Sequence, residues 1–284
     1  MPLVRLSIIP SEPGTRDAIS AALFAAGALG LQEDGDALVT VLTSSPEDAR
    51  LLEALVSAVR VVDALALVQV SELPDVDWST AWRERIGAHA LGALTVVPPW
   101  LAEGRDAACT IVIEPEMAFG TGEHQTTRCM IRLMHGVIRA GDTVADLGAG
   151  SAVLSIAAAK LGAARVAAIE LDADAIPNAE SNVVRNGVVE QVTVLLGDAG
   201  VLLPLVAPVR VVLANILSSV LIELLPAIAA ALRPGGAAIL SGILVEERQT
   251  MLEVIASDGG WDVVGEESEG EWWAVSIRRA GDDT

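Results

Sequence analysis

From about residue 94 onward, short apolar strand-like segments alternate with segments of helical periodicity. The alternation is clearest in the middle of the chain, at residues 143–146, 152–161, 165–170, 173–186, 192–196 and 209–214. This pattern predicts a mostly parallel sheet with helices on both faces. Two closing strand-like segments, 261–266 and 271–278, have no helix between them, so one of the two is expected to run antiparallel.

The first 71 residues predict a separate, smaller domain. A strand at 4–9, a helix capped by Ser11 and running to about residue 26, a hairpin around Asp34-Gly35, a helix opened by Ser45-Pro46 and a strand at 65–70 follow one another. A β-α-β-β-α-β order of this kind suggests a ferredoxin-like α+β domain. Residues 72–84 predict a connecting helix whose tryptophans, four residues apart, share one face, either as core residues or facing a substrate. Residues 85–284 then form the α/β domain.

Charge narrows the class of partner. The formal net charge is −20, and an acidic chain is not expected to bind nucleic acid through its phosphates. A basic protein or a cationic small molecule suits this surface, although the charge could also serve only to keep an apolar chain soluble.

The sequence also argues against a metalloprotein, a disulfide-stabilised protein, a secreted protein and a membrane protein. Cys109 and Cys129 form no metal or disulfide pattern, and no histidine has metal-ligand spacing. We expect no metal site, no secretion signal and no membrane span. The chain is therefore predicted to be a cytoplasmic protein. Separately, we expect a monomer, which no feature of the sequence specifies.

A glycine-rich turn follows the strand that ends at Asp146. The turn reads Leu-Gly-Ala-Gly-Ser-Ala, with Gly148 and Gly150, and a helix follows it. Such a turn lets backbone N–H groups approach a ligand at the carboxyl ends of the strands. Glu170 ends the next strand about 20 residues later, where an acid can accept hydrogen bonds from a ribose diol. Asp198 follows the third strand, where it either meets an adenine amino group or caps a helix.

Two nucleotide cofactors use this geometry. A dinucleotide site needs a third glycine where Val153 stands. An S-adenosylmethionine site needs three features in order: Asp-x-Gly-x-Gly, an acid after the second strand and an acid after the third. All three are present, so the sequence favours S-adenosylmethionine. Asp146 could alternatively do no more than orient the turn.

Two further segments carry candidate residues. In the loop 114–127, Phe119 and Gly120 stand before His124 and two threonines, a pattern typical of a loop that folds over a ligand. Phe119 packs on a cofactor or anchors the loop, and His124 acts as a general base or closes the loop by a hydrogen bond. Asn215, after another apolar strand, accepts a hydrogen bond from a cofactor or a reacting amine, unless it only forms a turn.

These segments resemble the PrmA family of methyltransferases, which act on protein L11 of the large ribosomal subunit. The matching segments are 114–127, 146–151, 182–187, 214–217, 233–236, 241–244 and 271–272. Residues 27–34 and 78–82 also resemble the family, so the resemblance covers nearly the whole chain. It implies a substrate-recognition domain, a linker helix and a seven-stranded class I methyltransferase domain. It also implies cofactor contacts at Thr127, Gly148, Glu170 and Asn215. Ala152 replaces a third glycine, and Glu170 replaces the family's usual aspartate.

The resemblance implies N-methylation of lysine or N-terminal amines of protein L11, with S-adenosylmethionine as methyl donor. Asn215 and the loop from Phe119 to His124 are then expected to place the amine, without an obligatory acid or base. The alternatives are a lysine methyltransferase of another protein, such as an electron-transfer flavoprotein subunit, a small-molecule methyltransferase, and a non-catalytic binding module.

Overall fold

The computed structural model describes residues 3–43, 45–73, 86–115, 122–257 and 259–279. The chain divides into two compact units, Met1–Arg85 and Ile86–Thr284. The last strand of the first unit runs through Leu73, so residues 72 and 73 are strand and not the predicted connecting helix. Residues 74–84 of that prediction lie outside the described residues.

The smaller unit has the predicted β-α-β-β-α-β order. Its elements are β1 (Leu3–Ile9), α1 (Arg16–Ala25), β2 (Gln32–Asp34), β3 (Ala37–Thr43), α2 (Pro46–Val62) and β4 (Leu67–Leu73). The strands form an antiparallel sheet in the order β2-β3-β1-β4. Alternate residues of β1, Leu6 and Ile8, are fully buried against Ile19 and Leu23 of α1 and Leu55 of α2. The alternation of strand residues therefore builds the core of this unit.

Helix α1 begins later than the sequence indicates. The sequence pattern predicts Ser11 as its cap, but Ser11 donates its backbone N–H and its hydroxyl to the Asp63 carboxylate, at 2.8 Å each. A 3-10 turn, Pro13–Thr15, precedes Arg16, where the helix starts. The side chain of Ser11 thus contacts a residue 52 positions away, and the helix starts after it.

The strands and helices of the larger unit are β5 (His89–Leu91), β6 (Leu94–Val97), β7 (Thr110–Val112), α3 (Gln125–Val137), β8 (Thr143–Leu147), α4 (Val153–Lys160), β9 (Arg165–Glu170), α5 (Ile176–Arg185), β10 (Val192–Leu196), α6 (Ala199–Val206), β11 (Val209–Asn215), α7 (Ser218–Ala231), β12 (Leu232–Leu244), α8 (Arg248–Ser257), β13 (Trp261–Glu269) and β14 (Trp272–Arg279). Its described strands form two sheets. The small sheet has the order β5-β6-β7 and the large one the order β10-β9-β8-β11-β12-β14-β13.

Strand β14 pairs antiparallel with both of its neighbours, and the other pairs of the large sheet are parallel. The antiparallel member of the closing pair is therefore β14. The predicted α/β class with a seven-stranded sheet is confirmed.

Helices cover both faces of the large sheet. Residues of α3, α4 and α5 form one buried cluster with one face of the strands, and residues of α6, α7 and α8 form a second cluster with the other face. This arrangement leaves the carboxyl ends of β8, β9 and β11 together at one edge, where Asp146, Glu170 and Asn215 stand. Open α/β sheets bind their ligands at this edge.

None of the described helices is long and apolar enough to span a bilayer. Within the same residues, no three His, Cys, Asp or Glu side chains come together as a metal ion would require.

Candidate functional site

The turn between β8 and α4 depends on left-handed backbone conformations. Gly148 has φ of 71° and Gly150 has φ of 53°. A Cβ on Gly148 would lie 2.5 Å from Cγ2 of Ile216, so no larger residue fits there. Ala152, fully buried, adopts φ of 64°, a conformation that is costly for any residue with a Cβ. The turn is thus held in a strained form by its surroundings.

Glu170 supports this turn directly. One carboxylate oxygen, Oε2, accepts the N–H of Gly150 at 2.7 Å, and Oε1 accepts the N–H of Asp172 at 2.9 Å. Each carboxylate oxygen has a second lone pair, so both can also accept a ligand hydroxyl. The longer glutamate side chain therefore holds the turn and still faces the space above it.

Asp146 lies buried beneath the turn. Its Oδ2 accepts the hydroxyl of Ser155 from helix α4 at 2.7 Å, and its Oδ1 has no partner among the described residues. Burial raises the pKa of this carboxyl to about 7; the hydrogen bonds from Ser155 oppose the shift, and the charge of Glu170 adds to it. Asp146 therefore ties β8 to α4 and carries an uncompensated polar atom.

A cavity of about 230 Å³ opens above the turn. It is lined by Thr127, Gly148, Ala149, Gly150, Val153, Leu154, Glu170, Asn215 and Ile216. Thr127 is fully buried, and its hydroxyl has no partner among the described residues. The cavity thus brings together five predicted cofactor residues, with an unpartnered hydroxyl, a carboxylate and a close-approach glycine. This donor and acceptor set fits a nucleoside ligand.

A second cavity, of about 400 Å³, adjoins the first. Its lining is largely apolar and consists of His124, Thr126, Asn215, Ile216, Leu217, Gly242 and Trp272. The rings of His124 and Trp272 meet edge to face, with centroids 5.0 Å apart. Asn215 and Ile216 line both cavities. A ligand in either cavity would therefore lie beside Asn215.

A chain of hydrogen bonds fixes the orientation of Asn215. His124 caps α3, and its Nδ1 lies 3.3 Å from the N–H of Thr126 and 2.7 Å from its hydroxyl oxygen. Nδ1 accepts the backbone N–H, so we assign it as the acceptor of the hydroxyl as well. Thr126 Oγ1 in turn accepts Nδ2 of Asn215 at 3.1 Å. The carbonyl oxygen of Asn215 is therefore not used by Thr126.

The hydrogen bonds of His124 also indicate the protonation state of its ring. Burial and then the charge of Arg128 lower the pKa of this imidazole, while Glu271 opposes the shift. An acceptor Nδ1 is the neutral form of the ring, with the proton on Nε2. His124 closes the start of helix α3 by a hydrogen bond, as one of the two sequence interpretations proposed.

Other predicted site residues lie elsewhere. Asp198 caps α6 by accepting the N–H of Val201 at 3.2 Å, and it is not among the residues that line either cavity. Its contact with adenine stays a prediction. Phe119 and Gly120 lie outside the described residues. Sequence reasoning missed Thr126 and Trp272 as site residues, although both stand in segments that carried the resemblance.

Comparisons with known proteins agree on one family. A family model described as ribosomal protein L11 methyltransferase (PrmA) matches residues 21–280. A ribosomal protein L11 methyltransferase of Vibrio cholerae is 34% identical over 87% of this chain and 82% of its own length. One of Thermus thermophilus is 40% identical over 73% and 80%. The crystal structure of a ribosomal protein L11 methylase from Lactobacillus delbrueckii subsp. bulgaricus, at 29% identity, aligns with a TM-score of 0.60 over 68% of this chain and 98% of that one.

Proposed function

Because the chain belongs to the ribosomal protein L11 methyltransferase (PrmA) family, we propose that it methylates amines of ribosomal protein L11 in the cytoplasm. The amines are lysine side chains, the N-terminal amine, or both. S-adenosylmethionine is the methyl donor. The observation that carries this proposal is the meeting of a nucleoside-type cavity and an apolar cavity at Asn215.

The cavity above the glycine-rich turn would hold the cofactor. Glu170 would accept hydrogen bonds from the ribose hydroxyls, and the buried hydroxyl of Thr127 would gain the partner that the protein does not supply. Gly148 leaves room for close approach, since a side chain there would collide with Ile216. Asp146 supports the turn from below through Ser155.

The second cavity would hold the amine. When bound, the cofactor supplies a methyl group already activated on a sulfonium. The chain must then present an uncharged amine in line with the carbon–sulfur bond. A lysine ammonium has a pKa of about 10.4 in water, and burial favours its neutral form. The walls of Ile216, Leu217 and Trp272 suit the apolar stem of lysine.

Asn215 would orient the amine. Its Nδ2 is held by Thr126, so its carbonyl oxygen is the atom available to accept an amine N–H. His124 would act through Thr126, as the acceptor that keeps this orientation. Residues 1–71 would recognise the protein substrate, since an amine on a large protein needs docking beyond the cavity.

Intact mass spectrometry of unmethylated ribosomal protein L11, incubated with the enzyme and S-adenosylmethionine, tests the proposal. Gains in multiples of about 14 Da, one methylene per transfer, are expected on this protein, and peptide mapping would place them on lysines or the N-terminus. No gain despite cofactor binding would redirect the activity to another protein. If protein L11 gains no mass and the enzyme binds no cofactor, the result would favour the non-catalytic binding module.

Gly242 offers a test of the wall between the cavities. It adopts φ of 84°, and a Cβ there would lie 2.2 Å from the carbonyl oxygen of Ile216. Gly242→Ala is therefore expected to displace residues 215–217 and to lower kcat by about 10²-fold, the usual effect of a misplacement near 1 Å. Steady-state methylation of protein L11 measures this loss.

The control is Gly187→Ala, at another left-handed glycine (φ 67°) with open space where a Cβ would stand. This variant carries comparable backbone strain at a residue that lines neither cavity. Equal activities of the two variants would show that strain, and not the position of the wall, limits the enzyme.

A further inference from the structure

Two asparagines at the end of helix α5 form hydrogen bonds with backbone groups along the unpaired edge of strand β7 and the residues that follow it. Asn186 accepts the N–H of Val112 through Oδ1 at 2.8 Å and donates Nδ2 to the carbonyl of Val112 at 2.7 Å. Asn182 accepts the N–H of Glu114 through Oδ1 at 3.0 Å. Residues four apart on a helix and two apart on an extended chain both repeat at about 6 to 7 Å. The asparagine pair therefore matches the strand edge.

Asn182 also reaches the cofactor turn. Its Nδ2 donates to the carbonyl oxygen of Ser151 at 3.1 Å and to Oδ1 of Asn178 at the same distance. Its side chain is fully buried. The carboxamide of Asn182 thus links two segments: its oxygen binds the segment after β7, and its nitrogen binds the glycine-rich turn. Asn186 holds the same strand, and its side-chain hydrogen bonds within the described part of the chain go to Val112 and to the Asn182 carbonyl, not to the turn.

The contact falls where the turn is most strained. Ser151 directly precedes Ala152, the residue with a Cβ that adopts φ of 64°. A conformation of this kind persists only when its surroundings hold it in place. Other hydrogen bonds hold other residues of the turn: Gly150 N–H donates to Glu170, Ala152 N–H donates to the Ala149 carbonyl at 2.8 Å, and the N–H groups of Gly148 and Ala149 donate to the Ile169 carbonyl. The bond from Asn182 acts on the residue next to the strained one.

We propose that Asn182 is a positioning residue for the cofactor, which fixes the glycine-rich turn by its hydrogen bond to the Ser151 carbonyl. This inference rests on the proposed use of that turn by S-adenosylmethionine. Without the bond, the buried Ser151 carbonyl loses its hydrogen bond to the Asn182 amide, and the turn relaxes away from the form in which its N–H groups and Gly148 face the cavity. Asn182 contributes to cofactor binding through its Nδ2 bond to Ser151, and not through its Oδ1 bond to Glu114 after strand β7.

The test compares Asn182→Asp with Asn186→Ala, and isothermal titration with S-adenosylhomocysteine gives the dissociation constants. Aspartate keeps the size of Asn182 and its acceptor toward Glu114, but it places an oxygen against the Ser151 carbonyl. Asn182→Asp is expected to raise Kd at least about tenfold, and Asn186→Ala by less than about threefold, although alanine removes both bonds to Val112. Circular dichroism and melting temperature establish that each variant is folded.

Activity separates positioning from general damage. At saturating S-adenosylmethionine, Asn182→Asp is expected to keep kcat within about threefold of the unmodified enzyme while KM for the cofactor rises with Kd. Equal effects of the two variants on Kd, or no effect of Asn182→Asp, would overturn the proposal. The titration needs no protein substrate, so a failure to methylate protein L11 leaves it intact. Absence of cofactor binding by the unmodified chain would overturn both proposals.

Discussion

Replacing Asn215 by alanine is expected to lower kcat for methylation of ribosomal protein L11 by about 10²-fold. The carbonyl oxygen of Asn215 stands where the two cavities meet, and the methyl group moves only when the amine is aligned. The carboxamide also lines the cofactor cavity, so Kd for S-adenosylhomocysteine is expected to rise, but by less than about tenfold. Single-turnover rates at saturating cofactor separate the two effects.

A double-mutant cycle with Thr126→Val identifies the atom responsible. Valine keeps the shape of threonine but removes the oxygen that accepts Nδ2 of Asn215, so the carboxamide loses its fixed orientation. Thr126→Val is expected to lower kcat by about tenfold, and the double variant to be no slower than Asn215→Ala alone. Thr126→Ser, which keeps the oxygen, should restore most of the rate. Additive losses, or an Asn215→Ala enzyme within about threefold of the original, would refute the role of Asn215.

The sequence predicted the elements that local periodicity defines and missed those that depend on distant partners. The β-α alternation correctly predicted strands β8 to β11, and the missing helix between the two closing strands correctly predicted that one of them runs antiparallel. Helix α6 was not predicted, because its very apolar sequence carries Pro204 and lacks a polar face. The helix is held by the Asp198 cap and by Leu203, its one fully buried side chain, which packs into the core on that face of the sheet, a contact that no local pattern reveals. The late start of α1 has the same origin, in the contact of Ser11 with Asp63.

The residues of the candidate site also fall into those that the sequence predicted and those that it missed. Gly148, Glu170 and Asn215 were found because chain order places them at the carboxyl ends of neighbouring strands. Thr126 was not, since its contact with Asn215 joins residues 89 positions apart. The bond from Asn182 to Ser151 likewise spans 31 positions. Side-chain amides that bridge two backbone segments leave no periodic signal in a single sequence.

Asp146→Asn is expected to change stability with opposite sign at high and low pH. The folded-state pKa of about 7 lies above the ordinary value of 3.8, so the folded protein binds a proton that the unfolded chain releases between these values. Stability therefore falls as pH rises through this window, and at pH 8 the full cost of the buried charge, on the order of 4 kcal/mol, is present. Asparagine removes that charge but leaves its amide hydrogens without partners, at a cost of about 1 to 2 kcal/mol.

The variant should consequently be more stable than the unmodified protein by about 2 kcal/mol at pH 8, and less stable by about 1 kcal/mol near pH 4. Urea unfolding followed by tryptophan fluorescence, with the two proteins compared at each pH, measures the difference. Ser155→Ala is the matched control: it removes the hydrogen bond that favours the ionised carboxylate, so its loss of stability should be larger at pH 8 than at pH 4. A pH-independent difference for Asp146→Asn would mean that the carboxylate is stabilised by water that enters the turn, and that the buried charge does not limit the fold.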